Sequence, residues 1–169
     1  MAKLALRLFD TGSAPGVHAL GEEMRELLEY AALLHDTGKV IAFRNHQHHS
    51  RYIVENAGMS GFSRRETLII GETACFHRKK APSEKALIAA GLDPEGAKAV
   101  RTLSALLPIA ENLDRSQLGL VNDAALMREG ETRARRNEEP GWVRLSKRKR
   151  CRDSHSNDRR LPVMPYGDK

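Results

Sequence analysis

Apolar residues recur at helical spacing from Met1 to about Gln117, with turn signals between the runs and almost no alternation of period two. The clearest stripe runs from Met24 to Leu34 and predicts a buried helix face that ends at His35. Further helices are predicted over about 4–9, 45–57, 64–77 and 94–116. The pattern therefore predicts an all-α domain, which we place at residues 1–121.

Local signals fix where two of these helices begin. The segment "SRRE" from Ser63 to Glu66 has the form of a capping box, in which the Ser and Glu side chains satisfy backbone amides at the start of a helix. Asp93, Pro94 and Glu95 offer a cap, a proline suited to the first turn and an acid that the helix dipole favours. These signals support the helical assignment independently of the apolar spacing.

After about Val121 the helical pattern stops and the charge changes. Residues 1–121 contain fifteen Lys and Arg against fourteen Asp and Glu, a balance of +1, whereas residues 122–169 contain thirteen against eight, a balance of +5. The second segment has charge runs, scattered Pro and Gly, and no sustained apolar face. We predict a basic tail at 122–169 that is largely irregular, either disordered or aberrant.

Cysteine usage and hydropathy exclude several classes of protein. Cys75 and Cys151 form no CxxC pair, so the sequence predicts neither a disulfide framework nor a thiolate zinc site. No apolar run approaches the roughly 18 residues that a bilayer crossing needs. The first ten residues carry Lys3 and Arg7 within the apolar pattern and lead to no cleavage site typical of a signal peptide. We therefore expect a cytoplasmic protein with no membrane partner.

The histidines suggest metal chemistry. Six of the seven lie between His18 and His77, and acids occur at helix ends or on one helix face. Imidazole together with carboxylate suits divalent transition metals, and carboxylates also hold Mg²⁺. In "LLHDTG", the adjacent His35 and Asp36 stand where a buried helix ends, although a His at that position also complements the helix dipole. In isolation the pair leaves both interpretations open.

Three further motifs carry candidate side chains. "NHQHHS" puts His46 and His49 on one helical face with His48 turned away. "FHRKK" ends a helix in one His and three cations, which either complement the dipole or bind phosphate. "IAENLDRS" puts Glu111 and Asp114 three residues apart in an apolar stripe, where a metal ion or an Arg would offset the cost of burying them.

In this order, "LLHDTG", "HQHHSRYIVENAGMSGFSRRE", "FHRKK" and "IAENLDRS" resemble the C-terminal helical domain of the exopolyphosphatase/guanosine pentaphosphate phosphohydrolase (Ppx/GppA) family. That domain is similar to the helical bundles of the HD superfamily of metal-dependent phosphohydrolases. The resemblance covers about Leu4 to Ser116. It implies an HD-type helical bundle and a divalent metal ion, with Mg, Mn and other transition metals as candidates.

The resemblance also implies roles for individual residues. His35 and Asp36 match the HD pair and Glu111 matches the late acid, so these three are the implied metal ligands. Further candidates for metal binding are His49, His77 and Asp114. The implied phosphate-binding residues are Arg78, Lys79, Lys80 and Arg115, and the implied ligand is polyphosphate or a guanosine pentaphosphate-like anion.

Two departures from the family pattern bear on activity. The superfamily's early His ligand belongs just upstream of "AKLALRLFD", so with Met1 as the first residue we expect that ligand to be absent. The actin-like N-terminal domains that carry polyphosphate hydrolysis in the family are also absent, since no βαβ pattern, GxGxxG or P-loop occurs. We expect a natural truncation, a detached domain or the product of a frame shift after about Leu126.

The sequence therefore leaves three functions in competition. The first is an accessory domain of a polyphosphate or guanosine pentaphosphate phosphatase, with little activity of its own, whose expected partners are the phosphatase domains and a second copy of the chain. The second is an independent metal-dependent HD phosphohydrolase acting on a nucleotide or another phosphate ester. The third is nucleic-acid binding by the basic "RLSKRKRCR", which the scarcity of aromatic residues in the tail disfavours.

Overall fold

The computed structural model describes residues 1–78, 81–115, 121, 123–128 and 143–147, with the backbone alone for Arg128 and 143–147. Six α-helices follow one another along the chain. They are α1 (Ala2–Gly12), α2 (Glu22–Leu34), α3 (His46–Asn56), α4 (Arg64–Cys75), α5 (Glu84–Ala89) and α6 (Pro94–Leu113). Two strands follow, β1 (Ala124–Arg128) and β2 (Val143–Lys147). The helical fold predicted from the sequence is confirmed.

The predicted caps form as the sequence indicates. At the start of α4 the Ser63 hydroxyl accepts from the Glu66 amide, and the Glu66 carboxylate accepts from the Ser63 amide at 2.6 Å, which completes the capping box. Asp93 accepts from the Gly96 amide at the start of α6, and Pro94 occupies the first turn. Both helices therefore have some of their free N-terminal amides satisfied within the chain.

Helix α6 is the longest, at 20 residues, and packs against α1, α4 and α5. Helix α2 packs on α1 and α4, and α3 also packs on α4. The fully buried aliphatic side chains of this core are Leu8, Leu27, Leu28, Val54, Ile69, Ile70, Leu87, Val100, Leu103 and Leu107. Within the described residues, no helix combines the length and the apolar content that a bilayer crossing requires.

Two strands lie in the segment that the sequence predicted to be largely irregular. β1 and β2 pair in antiparallel register, with Leu126 opposite Leu145. β1 packs against α1, where the Leu126 amide donates to Thr11 Oγ1 at 3.0 Å. Ala124 and Leu126 point into the core. Two inward positions are too few to establish a period of two, so a strand this short gives no reliable signal in the sequence.

Two short 3₁₀ turns bring polar side chains toward the ends of α2 and α4. Thr37–Val40 follows His35 and Asp36, and Phe76–Arg78 continues α4 without a break. Helix α3 begins after Asn45, whose φ of 59° lies in the left-handed region that Asn tolerates better than most residues. Together these features place the first turn of α3 beside the turn that follows α2, with which α3 is in contact.

Glu72 is a buried acid on α4 whose pairing predicts a pH effect on stability. Arg51 Nη1 donates to Glu72 Oε1 at 3.1 Å. Burial raises the pKa of Glu72 and Glu55 raises it further, and these effects outweigh Arg51. The folded state therefore holds the Glu72 proton more tightly than the unfolded state does. This contribution to stability is fully present below the unfolded pKa and is lost as pH rises through the raised folded pKa.

Glu72→Gln should therefore gain stability relative to the parent protein as pH rises above the ordinary Glu pKa of about 4. Urea unfolding of both proteins at several pH values measures the difference in unfolding free energy. A difference that stays constant, or that moves in favour of the parent protein with rising pH, would contradict the assignment.

Candidate metal centre

Asp36 lies in the turn after α2 and divides its two carboxylate oxygens between different partners. Lys39 Nζ forms an ion pair with Oδ2. Oδ1 is buried, has no hydrogen-bond partner among the described residues, and lies 3.1 Å from His46 Nε2. Burial alone would raise the pKa of Asp36, but the Lys39 ammonium with His35 and His46 outweighs it, so the pKa is lowered. The carboxylate is therefore ionised at neutral pH and offers one oxygen to a cation.

Three histidine rings beside Asp36 have the same backbone hydrogen bond. In each ring Nδ1 faces the carbonyl oxygen of the residue three positions earlier. A carbonyl oxygen only accepts, so Nδ1 carries the proton and the Nε2 of the neutral ring presents a lone pair. The carbonyls belong to Ala32, Phe43 and Ala74, at 2.9, 2.9 and 2.6 Å from Nδ1 of His35, His46 and His77 respectively.

The free Nε2 atoms of two of these rings face each other. His46 and His77 are each 1% exposed, and their Nε2 atoms lie 3.2 Å apart. Ligand atoms of Asp36, His46 and His77 all lie within 4.8 Å of one another. Two lone pairs at 3.2 Å repel each other unless a proton or a cation lies between them. The arrangement therefore calls for a positive species at this position.

The donor distances fit a first-row transition metal ion. Imidazole nitrogen and carboxylate oxygen bind such ions at about 2.0–2.2 Å, so two donors on one ion lie about 3 to 3.5 Å apart. The His46–His77 and His46–Asp36 distances of 3.2 and 3.1 Å fall in that range. The buried Asp36 Oδ1, which has no hydrogen-bond partner among the described residues, supplies the negative charge of this donor set. These residues fit a divalent ion.

His77 is suited to a ligand role by its protonation state as well as its position. Burial lowers its pKa, and His35 and His46 lower it further, against the raising effects of the Ala74 carbonyl and Glu111. The neutral ring is the form that binds metal. A fixed Nδ1–H, held by a backbone carbonyl, is also the usual second contact of a metal-binding histidine.

The comparison with known protein families gives a direct assignment. Residues 1–145 match the family model of the Ppx/GppA phosphatases, domain III. The chain belongs to the Ppx/GppA phosphatase family. The resemblance inferred from the four sequence motifs is confirmed, and the matched range runs past Val121 and Leu126 to include β1 and the first residues of β2.

In this Ppx/GppA domain, His35 and Asp36 of the HD pair differ in their position relative to the candidate metal ligands. Asp36 belongs to the converging group, which consists of Asp36, His46 and His77. His35 lies beside it, with Nε2 3.4 Å from Asp36 Oδ2 and its ring edge-on to His77 at 5.0 Å between centroids. His35 is therefore next to the three converging donors rather than among them.

The histidine that α3 contributes is His46. The sequence predicts His46 and His49 on one helical face, and the family motif implies His49 as the candidate. In the structure His46 is buried in the converging group, whereas His49 is partly exposed and outside it. His46 starts the helix, so its ring is directed back toward the turn that holds Asp36, to which it is linked by the 3.1 Å contact.

The predicted late acids lie close by but have other contacts. Glu111 Oε1 is 3.7 Å from Arg78 Nε, and its charge acts on His77. Asp114 ends α6 with Oδ2 2.7 Å from the amino group of Met1, and its Oδ1 is buried with no hydrogen-bond partner among the described residues. Neither acid belongs to the converging group of Asp36 with the two histidines.

Two of the four predicted phosphate-binding cations are described, and both are exposed. Arg78 directly follows the metal-ligand candidate His77, and Arg115 directly follows Asp114. Lys79 and Lys80 lie outside the described residues. Arg78 is one residue along the chain from His77, and its exposed guanidinium can contact an anion.

Proposed function

We propose that this Ppx/GppA domain holds a divalent transition metal ion through Asp36, His46 and His77 and binds phosphate polyanions beside it. The observation that carries the proposal is the pair of buried Nε2 atoms 3.2 Å apart next to a carboxylate oxygen that has no hydrogen-bond donor in the described part of the chain. Zn, Mn, Fe and Co suit this mixed imidazole and carboxylate set best, whereas Mg²⁺ favours oxygen ligands alone.

The residues around the centre have separable tasks in this proposal. Lys39 neutralises the outer oxygen of Asp36 and orients the inner one toward the histidines. His35 adds a third ring whose Nε2 faces the same carboxylate. An ion bound here would lower the pKa of a coordinated water and polarise a phosphoryl oxygen. Arg78 would hold an outer phosphate through its planar, bidentate guanidinium.

The family assignment and the exposed cations support an accessory role for the domain. We propose polyphosphate or a guanosine pentaphosphate-like anion as the ligand, and the phosphatase domains of the same family as partners. The basic residues Arg78, Lys79, Lys80 and Arg115 would neutralise successive phosphates. The cytoplasm remains the proposed location, because two cysteines without a CxxC pair suggest no disulfide framework and fit a reducing compartment.

Removing the Arg78 guanidinium should weaken polyphosphate binding and make it less dependent on salt. Each phosphate contact contributes about 0.7 to the slope of log affinity against log salt for a single-stranded polyanion, so Arg78→Ala should lower that slope by about 0.7. Fluorescence anisotropy of labelled polyphosphate at several NaCl concentrations gives the slope.

Arg101→Ala is the matched control for this measurement. Arg101 pairs with Glu84 at 3.9 Å and is 52% exposed, much as Arg78 pairs with Glu111 at 3.7 Å and is 45% exposed. Arg101 lies in the middle of α6, far along the chain from the converging group. If the two variants lose the same amount of binding, the effect is one of net charge and the proposed phosphate site is wrong.

The converging group also supports the second candidate, an independent HD-type phosphohydrolase. In that case the metal-loaded chain would hydrolyse p-nitrophenyl phosphate or a nucleotide, and Asp36→Asn would remove the activity together with the metal. Binding of one metal ion without turnover would leave the accessory role as the function of the centre. Turnover that survives Asp36→Asn would exclude this site as its source.

A further inference from the structure

The Ser50 hydroxyl connects two of the three segments that supply the converging group, the turn that holds Asp36 and helix α3. It accepts from the Gly38 amide at 2.8 Å and donates to the His35 carbonyl oxygen at 2.7 Å. His35 is the residue before Asp36, and Gly38 lies two positions after it. One hydroxyl therefore binds the backbone on both sides of Asp36, and Ser50 itself is fully buried.

At Gly38 the turn has no space for a side chain. A Cβ added to Gly38 would lie 2.1 Å from the His46 carbonyl oxygen and 2.4 Å from the Ser50 amide nitrogen. The turn thus lies directly against the first turn of α3. Since His46 and Ser50 are four residues apart, they share one face of that helix. The separation of Asp36 and His46 is set by backbone contact and by one hydroxyl.

We infer that Ser50 is a positioning residue of the metal centre, holding the Asp36 turn at the distance from His46 that a shared ion requires. This inference rests on the proposed metal function. Ser50 acts on the centre through the backbone, because its hydroxyl accepts from the Gly38 amide and donates to the His35 carbonyl. Contacts that orient metal ligands typically change metal affinity by about 10- to 100-fold when they are removed.

A second buried hydroxyl gives a matched control. Ser104 on α6 is 2% exposed, and its Oγ has no hydrogen-bond partner among the described residues. Ser104→Ala therefore deletes the same atom from an equally buried position without touching the Asp36 turn. An effect of deleting a buried oxygen atom would appear in both variants, whereas Ser50→Ala alone breaks the two hydrogen bonds that flank Asp36, so its effect on positioning is measured by the affinity and spectrum of the bound ion.

The test is a titration of the parent chain, Ser50→Ala and Ser104→Ala with Co²⁺. Binding is measured by calorimetry and by the visible absorption of the bound ion. Ser50→Ala should raise the Kd for Co²⁺ by about 10- to 100-fold and change the absorption band, while Ser104→Ala should match the parent. Unchanged affinity and spectrum in Ser50→Ala, or equal losses in both variants, would overturn the inference. A parent chain that binds no Co²⁺ would instead reject the proposed metal function.

Hydrogen exchange in the parent chain gives a second measurement that needs no variant to fold. If the hydroxyl contact and the metal are coupled, the coupling is reciprocal, and saturating Zn²⁺ should slow exchange of the Gly38 amide at least severalfold. The Gly96 amide, which donates to Asp93 Oδ1 at the start of α6, serves as the internal control. Equal exchange of the Gly38 amide with and without bound Zn²⁺ would overturn the inference while leaving metal binding itself established.

Discussion

His46→Ala should abolish tight metal binding, whereas His49→Ala should leave it nearly unchanged. Both residues lie on α3 within three positions of each other, but only His46 presents a buried Nε2 to Asp36 and His77. Removing one of three protein ligands should raise the Kd for Zn²⁺ by more than about 100-fold, beyond the effect of outer contacts. Isothermal titration with Zn²⁺, after circular dichroism has verified the helical content of each variant, measures the difference.

The contrast also separates the structural assignment from the one that the family motif implies. The motif points to His49, and the geometry points to His46. If His49→Ala loses the metal while His46→Ala keeps it, the motif-based ligand set is right. The converging group is then a cluster of buried polar side chains that binds no metal. Equal partial losses would indicate general loosening of α3 and would also count against a specific role for His46.

The largest effect on stability should come from truncating a side chain on the buried face of α2. Leu28 on α2 is completely buried, while Leu33 on the same helix is 60% exposed. Leu28→Ala should lower the free energy of unfolding by about 3–5 kcal/mol, since it loses the transfer term and leaves a cavity. Leu33→Ala should change it by no more than about 0.5 kcal/mol.

Urea unfolding of both variants measures these values, and the identical change of side chain makes the pair a direct test of the packing. A loss below about 1 kcal/mol at Leu28 would mean that α2 does not pack as described. A large loss at Leu33 would mean that its exposed face is covered in solution, for example by a second copy of the chain.

The long helices could be predicted because their apolar stripes and caps are local. Ser63 and Asp93 mark helix starts through contacts with residues three positions away, which any reader of the sequence can see. The short helix α5 was missed because its six residues bury one large side chain, Leu87, and one position defines no period. β1 and β2 were missed because their pairing joins distant segments.

The candidate site could be predicted only in part, for a similar reason. The adjacency of His35 and Asp36 at a helix end is visible in the sequence and predicts the turn that contributes Asp36 to the proposed centre. The choice between His46 and His49 depends on how α3 meets that turn, which the left-handed Asn45 and the close contact at Gly38 decide. The encounter of His46 with His77, 31 residues away, is a tertiary event with no local signature.

The central claim is that His46 and His77 share one metal ion with Asp36. The most direct test is ¹⁵N NMR of the imidazole nitrogens during a titration of the chain with Zn²⁺. One equivalent of Zn²⁺ should shift the Nε2 resonances of His46 and His77 and leave those of His18 and His48 in place. Zn²⁺ binding that leaves the Nε2 resonances of His46 and His77 unmoved, or no saturable binding at all, would contradict the claim.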